Sequence, residues 1–560
     1  MATMRCKSLF SSVALTSFML AGIAPVAEAA STEDSEIRLL RAEMSQMRRD
    51  MQQQIITLKH QLAKSDVATK GHASQTAGHG RTLHVADGAY DPNIQFGEQQ
   101  PIKKIAPLSG IGTPPSDRGD TMSWKDFKAA TAKDEEVQIG GMQIGFPKGR
   151  FTVSSEDGAY GFSVGLAFHE DFGSFIGMSN PGAGGKKGDF DSFTENARRI
   201  RIPFTFRYKD WVANVTPDLG AGGVDGDTTN QGLYEANLNY TGLHNTILTV
   251  GYFQPRVTEE DSESSNDFEM MERPVITDLV RKIAAGDARF SFGGLHYEKR
   301  WWIAAYFTGQ SFGGRSSSSG ANTALVDSQT GGTFRAAGRP FVSKDIDLHV
   351  GVSAISAFKV AQNGSGRTYS FADQPEVNLT TTNLLGSGTI PNVASVWSAG
   401  PELGLRWKKL LLKGEYYHIG VTRGDAATTP AQNHNASFEG YYGSANYTLM
   451  GQGRQYNIKE GAFGAPGVEH EFDPSRGFWG ALEVSGRYSV TNFKDVAAGV
   501  GNGNKQTVWS GGLNWYPNRH FRFMVDFNHF MTSGGGGGAT TYNIYGRHGN
   551  SLAARVQAAF

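Results

Sequence analysis

Arginine occupies alternate positions in a short segment near residue 200. Arg199, Arg201 and Arg207 have the same parity, and mostly apolar residues fill the positions of the other parity. Because successive side chains of a β-strand point to opposite faces, the three guanidinium groups would share one face, with Arg199 and Arg201 ~6.6–7 Å apart. A guanidinium group presents a fixed fork of donors that suits carboxylate and phosphate. The spacing therefore predicts a column of anion-attracting side chains along one strand.

The same alternation assigns three more cations on later segments to this polar face, so six residues are the candidates for lining a pore and contacting a solute. They are Arg199, Arg201, Arg207, Lys413, Arg487 and Arg522. In a second interpretation, these cations pair with carboxylates of the same face and only stiffen a wall. The carboxylates in question are Glu235, Glu415, Glu483 and Asp526. Charge pairs are ordinary inside barrels, so the sequence leaves both interpretations open.

Signals for catalysis and for cofactor or metal binding are not found in the sequence. There is no His-Glu-x-x-His helix. The glycine-rich run 499–505 lacks the spacing of a phosphate-binding loop, and His72, His79 and His84 fit no set of metal ligands. Lys and Arg number 53 against 54 Asp and Glu, which excludes the basic field that a nucleic-acid partner needs. We predict a protein that is not an enzyme and has no cofactor.

Strands of about ten residues are the elements that must position these side chains. From residue 137 onward, alternating segments are separated by loops rich in Gly, Asn and Asp. The clearest, residues 160–168, has aromatic and aliphatic residues on one parity and small or polar residues on the other. Such an apolar face invites aggregation in water but is required in lipid. The pattern, together with 71 Gly and 11% aromatic residues, predicts an antiparallel transmembrane β-barrel.

The same rule sorts the side chains of other segments into a lipid face and a lumen face. Residues 199–208, 480–488 and 521–528 each alternate in this way. In residues 234–240, the rule assigns Tyr234 to the lipid face and Glu235 to the lumen. Outside the extreme N-terminus there is no run of ~18 uncharged apolar residues, which excludes a membrane-spanning helix.

The last segment alternates up to its final residue, Phe560, with Leu552, Ala554, Val556 and Ala558 on the same parity. A barrel has no free edge because its last strand pairs with its first. An apolar terminal strand that ends on an aromatic residue also looks like the signal read by the barrel-assembly machinery. We therefore expect that machinery as a partner, through the strand of Phe560, together with outer-membrane lipid and lipopolysaccharide.

Residues 1–29 have the features of a signal peptide. Two basic residues precede an apolar core, residues 9–23, and residues 27–29 form a small-residue cleavage site. The apolar run is short for the alternative, a helical membrane anchor. Cys6 is the only cysteine. Cleavage after Ala29 would therefore leave a mature chain with no thiol for a disulfide, a thiolate metal site or a nucleophile.

Residues 31–63 differ from everything that follows, because they contain no Gly or Pro and are rich in Glu, Arg, Gln, Met and Leu. Apolar residues from Ile37 to Leu62 are spaced by three or four, which is a heptad pattern with one stutter. The spacing predicts a periplasmic coiled-coil helix; a single amphipathic helix lying on another domain is the alternative. Residues 64–136 show no lasting period and are expected to be a linker.

Several separated blocks, between about residue 170 and residue 530, follow one another along the chain. They are Arg198-Arg199-Ile200-Arg201 with Trp211, Gly251-Tyr252-Phe253-Gln254-Pro255, Met271-Glu272-Arg273-Pro274, Gly414-Glu415-Tyr416-Tyr417, and residues 447–452 and 512–517. In this order they resemble the phosphate-selective porin O and P family. The resemblance implies a 16-stranded barrel, a homotrimer, and a third loop that folds inward and narrows each pore. Residues 137–560 would then give roughly 26 residues per strand and connection, enough for an all-β barrel of this kind.

The expected third loop, residues 256–289, has nine acidic residues against five basic ones. An acidic loop beside a basic wall suits a general porin as well as an anion channel. We therefore predict an outer-membrane porin that passes small hydrophilic solutes and leans to anions, without assigning phosphate. The alternative from another class is a structural anchor, whose coiled coil spaces the outer membrane from the cell wall or tethers it there, with peptidoglycan as partner.

Overall fold

The part of the chain that the computed structural model describes begins at residue 113. The described residues are 113–131, 137–139, 142–177, 193–220, 232–312, 328–363, 366–380, 383–424, 433–493, 495, 498, 505–533 and 548–560. The chain divides into two compact units, Met1–Ile102 and Lys103–Phe560, and all described residues belong to the second. The predicted signal peptide, 1–29, and coiled coil, 31–63, lie outside them. Among the described residues no helix is long and apolar enough to cross a membrane.

Strands dominate the described part of the chain. The α-helices among the described residues are α1 (Trp124–Thr131), α2 (Glu259–Ser262) and α3 (Val275–Ala284), and two short 3-10 helices lie at Pro147–Gly149 and Pro474–Arg476. The strands up to the middle of the chain are β1 (Val137–Ile139), β2 (Met142–Gly145), β3 (Phe151–Ser155), β4 (Tyr160–Val164), β5 (Ala167–Ile176), β6 (Phe193–Arg201), β7 (Phe204–Tyr208), β8 (Trp211–Pro217), β9 (Leu233–Leu243), β10 (Thr246–Phe253), β11 (Arg289–Tyr297), β12 (Trp301–Ser311), β13 (Thr330–Val342) and β14 (Ile346–Lys359). They are followed by β15 (Gln362–Asn363), β16 (Gly366–Arg367), β17 (Tyr369–Asp373), β18 (Leu385–Ile390), β19 (Val393–Trp407), β20 (Leu410–Arg423), β21 (Ala436–Met450), β22 (Tyr456–Asn457), β23 (Ala462–Phe463), β24 (Ala481–Asn492), β25 (Lys505–Tyr516), β26 (Phe521–Ser533) and β27 (His548–Ala559).

The long strands pair antiparallel with their neighbours along the chain. From β7 to β14 each strand pairs with the next, β14 pairs with β19, and the pairing continues through β20, β21, β24, β25 and β26 to β27. In turn, β27 pairs with β5, and Phe560 extends this pairing by exchanging two backbone hydrogen bonds with Leu166, at 2.8 and 2.9 Å. The last strand therefore lies beside one of the first.

Two strands of the sheet are each divided by a short bend, the first into β4 and β5 and the second into β6 and β7. Because β4 pairs with β7 and β5 pairs with β6, residues 160–176 and 193–208 run side by side. On its other edge β4 pairs with β3, and β2 and β1 continue the sheet as a short meander.

Two-residue turns connect β7 to β8, β9 to β10 and β19 to β20. Each contains one non-glycine residue with positive φ, namely Lys209 at 51°, Asn245 at 47° and Lys408 at 56°. Tight hairpins favour such backbone conformations because the resulting turn matches the right-handed twist of the strands. These turns mark one end of the sheet, which we call the turn end.

Side chains of the long strands alternate between an exposed apolar face and a buried face. In β7, for example, Phe206 is 52% exposed, whereas the neighbouring Arg207 is 4% exposed. The segments 160–168, 199–208, 480–488 and 521–528 alternate in burial with the parity expected from the sequence. The apolar face therefore points away from the chain's own interior.

Tyr234 is an exception and a correction to the sequence-based assignment. Its side chain is 2% exposed and lies inside, where its hydroxyl accepts a hydrogen bond from Nε of Arg118 at 3.1 Å. The register between β8 and β9 shifts between Thr216 and Pro217, which marks a β-bulge. A bulge adds one residue to a strand and so changes the parity on its far side. Tyr234 and Glu235 are therefore consecutive and both buried.

Several segments pack against the buried face of the sheet. Residues 374–380, between β17 and β18, are one of them, because Glu376 accepts hydrogen bonds from the backbone of Val275 and from Arg487. The other three, which we call the inward segments, are the N-terminal segment (residues 113–131), the inward loop (residues 254–288, between β10 and β11) and the turn-side loop (residues 451–480, between β21 and β24). The N-terminal segment lies within the predicted linker, 64–136, and contains α1, which no sequence period had indicated.

Helix α3 anchors the inward loop by apolar contact. Ile276, Leu279, Val280 and Ile283 are almost fully buried in one cluster with inward-facing side chains of β14, β19, β20 and β21. At Gly440 of β21 a Cβ atom would lie 2.8 Å from Ile276, so the close approach of the helix requires glycine there.

We expect Phe204→Arg to lower the free energy of unfolding by ~2–4 kcal/mol, the cost of placing Arg near the midplane of a bilayer on a lipid-facing position. Phe204→Leu is the matched control, because it keeps the outward face of β7 apolar. Urea unfolding in phospholipid vesicles, followed by tryptophan fluorescence, measures both. Equal unfolding midpoints for the two variants would contradict the assignment of this face to lipid.

Candidate functional site

All six candidate cations lie on the buried face of the sheet. Arg199 and Arg201 are on β6, Arg207 on β7, Lys413 on β20, Arg487 on β24 and Arg522 on β26. None is more than 5% exposed, because the inward segments and residues 374–380 cover them. The six side chains therefore lie on the face of the sheet that the alternation predicted. Most of them bind other groups of the protein and are not exposed to solvent.

We call the paired long strands of the sheet the wall. Lys413, on β20, connects the wall to the start of the inward loop. Its ammonium nitrogen lies 3.1 Å from Glu259, 2.8 Å from Glu260 and 2.6 Å from Glu263. Removing a charge from water costs several kcal/mol per ion, so a buried ammonium requires such partners. Lys413 thereby holds α2 and its flanking residues against β20.

The three carboxylates around Lys413 carry more negative charge than one ammonium neutralises. Burial opposes ionisation of Glu260, but Lys413 together with Arg487 and Arg273 outweighs it, and the pKa of that carboxyl is lowered. At Glu263 burial prevails and raises the pKa well above its usual range. Carboxylates at this spacing can ligate a cation, but the ammonium of Lys413 already lies within 3.1 Å of all three, so we assign no metal to them.

Arg201 is bound by three carboxylates from three different segments. Its nitrogens lie 2.6 Å from Asp117 of the N-terminal segment, 2.8 Å from Asp218 after β8, and 3.2 Å from Asp287 of the inward loop. Its guanidinium group also stacks on the ring of Tyr234, 3.5 Å from the ring centre. Arg201 is therefore a junction between segments whose charge is fully compensated.

Arg207 and Arg487 each have one carboxylate partner and further backbone acceptors. Arg207 lies 3.1 Å from Asp120 and donates to two backbone carbonyls. Arg487 lies 2.8 Å from Glu376 and donates to the carbonyl of Glu272 at 2.8 Å. Both residues connect strands to segments that pack inside the sheet.

Arg199 and Arg522 differ from the other four because their partners are neutral. Arg522 donates to the backbone carbonyls of Asn266 and Phe268, and Arg199 lies 3.4 Å from Nδ1 of His169. The buried Nε atoms of both arginines lack a hydrogen-bond partner among the described residues. Neither arginine forms an ion pair within that part of the chain, so their charge is the least compensated of the six.

Sequence reasoning missed Arg198, the neighbour of Arg199. Strict alternation would send it outward, but the register between β5 and β6 shifts opposite it, and this bulge turns both arginines inward. Arg198 binds the two carboxylate oxygens of Glu272 at 2.8 and 3.0 Å, and Arg555 of β27 binds the same carboxylate at 2.8 Å. Two wall arginines therefore clamp the middle of the inward loop. The doubled arginine was the available signal in the sequence.

The four wall carboxylates that were candidate partners of these cations bind the inward segments instead. Glu235 accepts from the N-terminal segment, Glu415 and Asp526 accept from backbone N–H groups of the inward loop, and Glu483 pairs with Arg454 of the turn-side loop at 3.0 Å. Within the described residues, none of the four forms an ion pair with one of the six cations, so the pairing that the second interpretation of the sequence expected is not observed.

The turn-side loop contributes charges that no sequence signal had indicated. Glu460 binds Arg118 at 3.1 Å and also binds Arg256, and these two arginines lower its pKa although burial opposes ionisation. Arg335 of β13 donates to the backbone carbonyl of Glu460 at 3.1 Å. The turn-side loop is therefore joined to the wall, to the inward loop and to the N-terminal segment.

A small polar cavity lies where the three inward segments meet β8, β9 and β10. Its charged lining residues are Arg118, Arg256, Lys459, Glu235 and Glu460, and its amide side chains are Asn214, Asn237, Asn239 and Gln254. Asn239 donates to Asn237 at 2.6 Å, and Asn237 donates to Glu235 at 3.1 Å. Three cations face two carboxylates, so the lining of this cavity carries a net positive formal charge.

Comparison of the sequence with protein families gives one matching model over most of the chain. The model described as phosphate-selective porin O and P matches residues 162–560, which include the long strands and the inward loop. A similar curated protein is Porin O of Pseudomonas aeruginosa, 23% identical over 402 residues, an alignment that covers 66% of this chain and 83% of the relative.

Solved structures with detectable similarity come from outer-membrane proteins. OmpT of Vibrio cholerae in its trimer form has a TM-score of 0.40 at 9% identity, covering 72% of this chain and 100% of that one. An anion-selective porin from Comamonas acidovorans has a TM-score of 0.39 at 10% identity, with the same coverage. The outer membrane channel DcaP of Acinetobacter baumannii has a TM-score of 0.38 at 10% identity, covering 72% and 98%.

We expect Lys413→Met to lower the free energy of unfolding by roughly 3–5 kcal/mol, because the substitution leaves buried carboxylates without their cation. Lys344→Met is the control, since Lys344 is exposed in a turn. Chemical unfolding of the detergent-solubilised protein measures the difference. If both variants unfold at the same denaturant concentration, Lys413 does not hold the inward loop.

Proposed function

The chain belongs to the phosphate-selective porin O and P family, and from this premise we propose that the inward loop and its charged wall form the selective part of the pore. The protein is a porin of the bacterial outer membrane and passes small hydrophilic solutes by diffusion, with a leaning to anions. The family consists of channels, not enzymes. The observation that carries the proposal is the burial of the charged inward loop against wall cations such as Lys413 and Arg201.

We propose that the long strands form a 16-stranded transmembrane barrel. With β4 and β5 taken as one interrupted strand and β6 and β7 as another, fourteen further long strands follow up to β27. The pairing of β27 with β5 supports this arrangement, because a membrane-spanning sheet must leave no edge unpaired in lipid. The exposed apolar face supports it as well. We further propose a homotrimer, for which the heptad pattern of residues 31–63 is the supporting feature.

The proposed leaning to anions depends on which cations keep an effective charge. Arg201, Arg207, Lys413 and Arg487 face carboxylates at 2.6 to 3.2 Å, so their fields largely cancel beyond the immediate contact. Arg199 and Arg522 have neutral partners only. We therefore propose that, of the six candidate cations, these two contribute most to the positive potential of the pore, with no single site binding an anion tightly enough to trap it.

We expect Arg199→Gln/Arg522→Gln to reduce anion preference in planar bilayers, because two weakly compensated charges are lost. The reversal potential across a KCl gradient measures this, and the effect should be largest near 0.01 M salt, where the Debye length is about 30 Å. Arg476→Gln is the control, because Arg476 is half exposed in the turn-side loop and pairs with the neighbouring Asp473. An unchanged reversal potential in the double variant would mean that selectivity is set elsewhere.

A structural role is the second candidate, and the separate unit Met1–Ile102 favours it. We propose that the predicted coiled coil in this unit spaces or tethers the membrane, while the sheet unit conducts. The partners would be peptidoglycan for the coiled coil and the barrel-assembly machinery for the strand that ends at Phe560. These two roles are compatible within one chain.

Deletion of residues 31–63 should leave a folded, conducting channel, because that segment supplies none of the described strands. Heat-modifiable gel mobility reports folding, and bilayer recordings report conductance. Sedimentation of the deleted and full-length proteins with purified peptidoglycan tests the tether. Loss of all channel assembly on deletion would refute the modular organisation, and equal sedimentation would refute the tether.

A further inference from the structure

The N-terminal segment passes through the interior beside the cavity described above. Asp117 accepts hydrogen bonds from Ser264 and Ser265 of the inward loop, each at 2.7 Å, and pairs with Arg201. Farther along, Trp124 at the start of α1 donates from its backbone to Asp210 in the turn between β7 and β8. The segment therefore extends from the inward loop to the turn end of the sheet.

Arg118 makes the most direct contact with the inward loop. Its guanidinium group donates to the backbone carbonyls of Asp261, Ser262 and Glu263, at 3.0, 3.3 and 3.2 Å. These carbonyls belong to the last two residues of α2 and to its C-terminal cap residue. In so short a helix, no N–H group of the same helix donates a hydrogen bond to them. A cationic side chain at a helix C-terminus can donate hydrogen bonds to such carbonyls.

The fork of Arg118 also reaches the other sides of the cavity. Its Nε donates to the hydroxyl of Tyr234 at 3.1 Å, and its Nη1 lies 3.1 Å from Glu460. One side chain thus joins the inward loop, the bulge of β9 and the turn-side loop. A lysine at this position would keep the charge but could not occupy these directions at once, because its ammonium is a point charge on a flexible stem.

The backbone next to Arg118 is seated with little free space. The N–H of Gly119 donates to Glu235 at 2.5 Å, and a Cβ atom at Gly119 would lie 2.1 Å from the side chain of Asn214. Asp120 pairs with Arg207 at 3.1 Å. Arg118 is therefore held in place from both sides along its own chain.

We propose that the N-terminal segment is a constriction element of the pore and that Arg118 is its specificity-determining residue. Arg118 positions the inward loop by holding the C-terminal end of α2. It also contributes positive charge to the cavity wall, because Arg118 and Arg256 share the single carboxylate of Glu460 and their two charges are only partly compensated. The solutes it favours are small anions. The proposal rests on the proposed porin function and adds that part of the constriction comes from a segment outside the long strands and the inward loop.

The two roles of Arg118 are separated by two substitutions in the full-length channel. With Arg118→Lys the charge remains but the fork is lost, so we expect a higher single-channel conductance and an anion preference close to that of the wild type. With Arg118→Gln the charge is lost as well, so we expect higher conductance together with lower anion preference. Lys125→Gln, on an exposed position of α1, is the control and should change neither.

The outcomes separate this proposal from the proposed function. A wild-type protein that forms no channel in planar bilayers would overturn the porin function itself. A conducting wild type with unchanged conductance and reversal potential in assembled Arg118→Gln channels would overturn only the role of the N-terminal segment.

A second measurement covers the case in which Arg118→Gln does not assemble. Thr121 lines the cavity next to the contacts of Arg118, and its side chain holds none of them. In a chain with Cys6→Ser and Thr121→Cys, a bulky water-soluble thiol reagent should lower the current, while the chain with Cys6→Ser alone should not respond. Reaction at Thr121→Cys, verified by mass, without any loss of current would place the segment outside the conduction path and overturn the proposal.

Discussion

Charge balance inside the sheet is the constraint on which the rest of this structure depends. The wall supplies buried arginines and a lysine, and the inward loop supplies carboxylates, so neither can be buried without the other. Lys413 with Glu259, Glu260 and Glu263 is the clearest case. Removing one partner of such a buried pair costs roughly 3–5 kcal/mol, because an uncompensated charge remains. The fold of the inward loop is therefore fixed in part by wall residues that are distant in the chain, such as Lys413, which lies 150 positions from Glu263.

Two β-bulges extend this balance beyond what regular strands can provide. In a regular strand only every second side chain faces inward. The bulge in β6 brings Arg198 inside with Arg199, and Arg198 takes part in clamping Glu272. The bulge between β8 and β9 brings Tyr234 inside, where it supports Arg201. Both irregularities thus serve the packing of the inward loop, which is consistent with bulges being used to redirect side chains.

The same balance limits how selective the pore can be. Cations with a carboxylate partner of their own contribute little electric field at a passing solute. A preference for anions therefore depends on the few cations that lack such a partner or share one carboxylate. Diffusion through a pore also requires that binding be weak enough for the solute to leave. A lumen rich in charge but nearly neutral in sum fits a channel that leans to anions and still admits other small hydrophilic solutes.

Local pattern in the sequence was enough to predict strands and their faces, because the two-residue period of a strand and the separation of apolar from polar side chains are properties of adjacent residues. It placed all six candidate cations on the inner side, and ordered blocks such as Gly414-Glu415-Tyr416-Tyr417 carried the resemblance to the family that the chain belongs to.

What the pattern could not supply was any contact between distant segments. The inward positions of Tyr234 and Arg198 were not predicted, because a bulge depends on the register between two strands, which neither strand encodes alone. The inward packing of the N-terminal segment and of the turn-side loop was not predicted, because their sequences show no periodic pattern of apolar residues. Only the folded sheet brings Arg118 to the end of α2 and Arg454 to Glu483. Which cations are neutralised was likewise decided by tertiary structure, since a buried charge finds its partner by proximity in space and not in sequence.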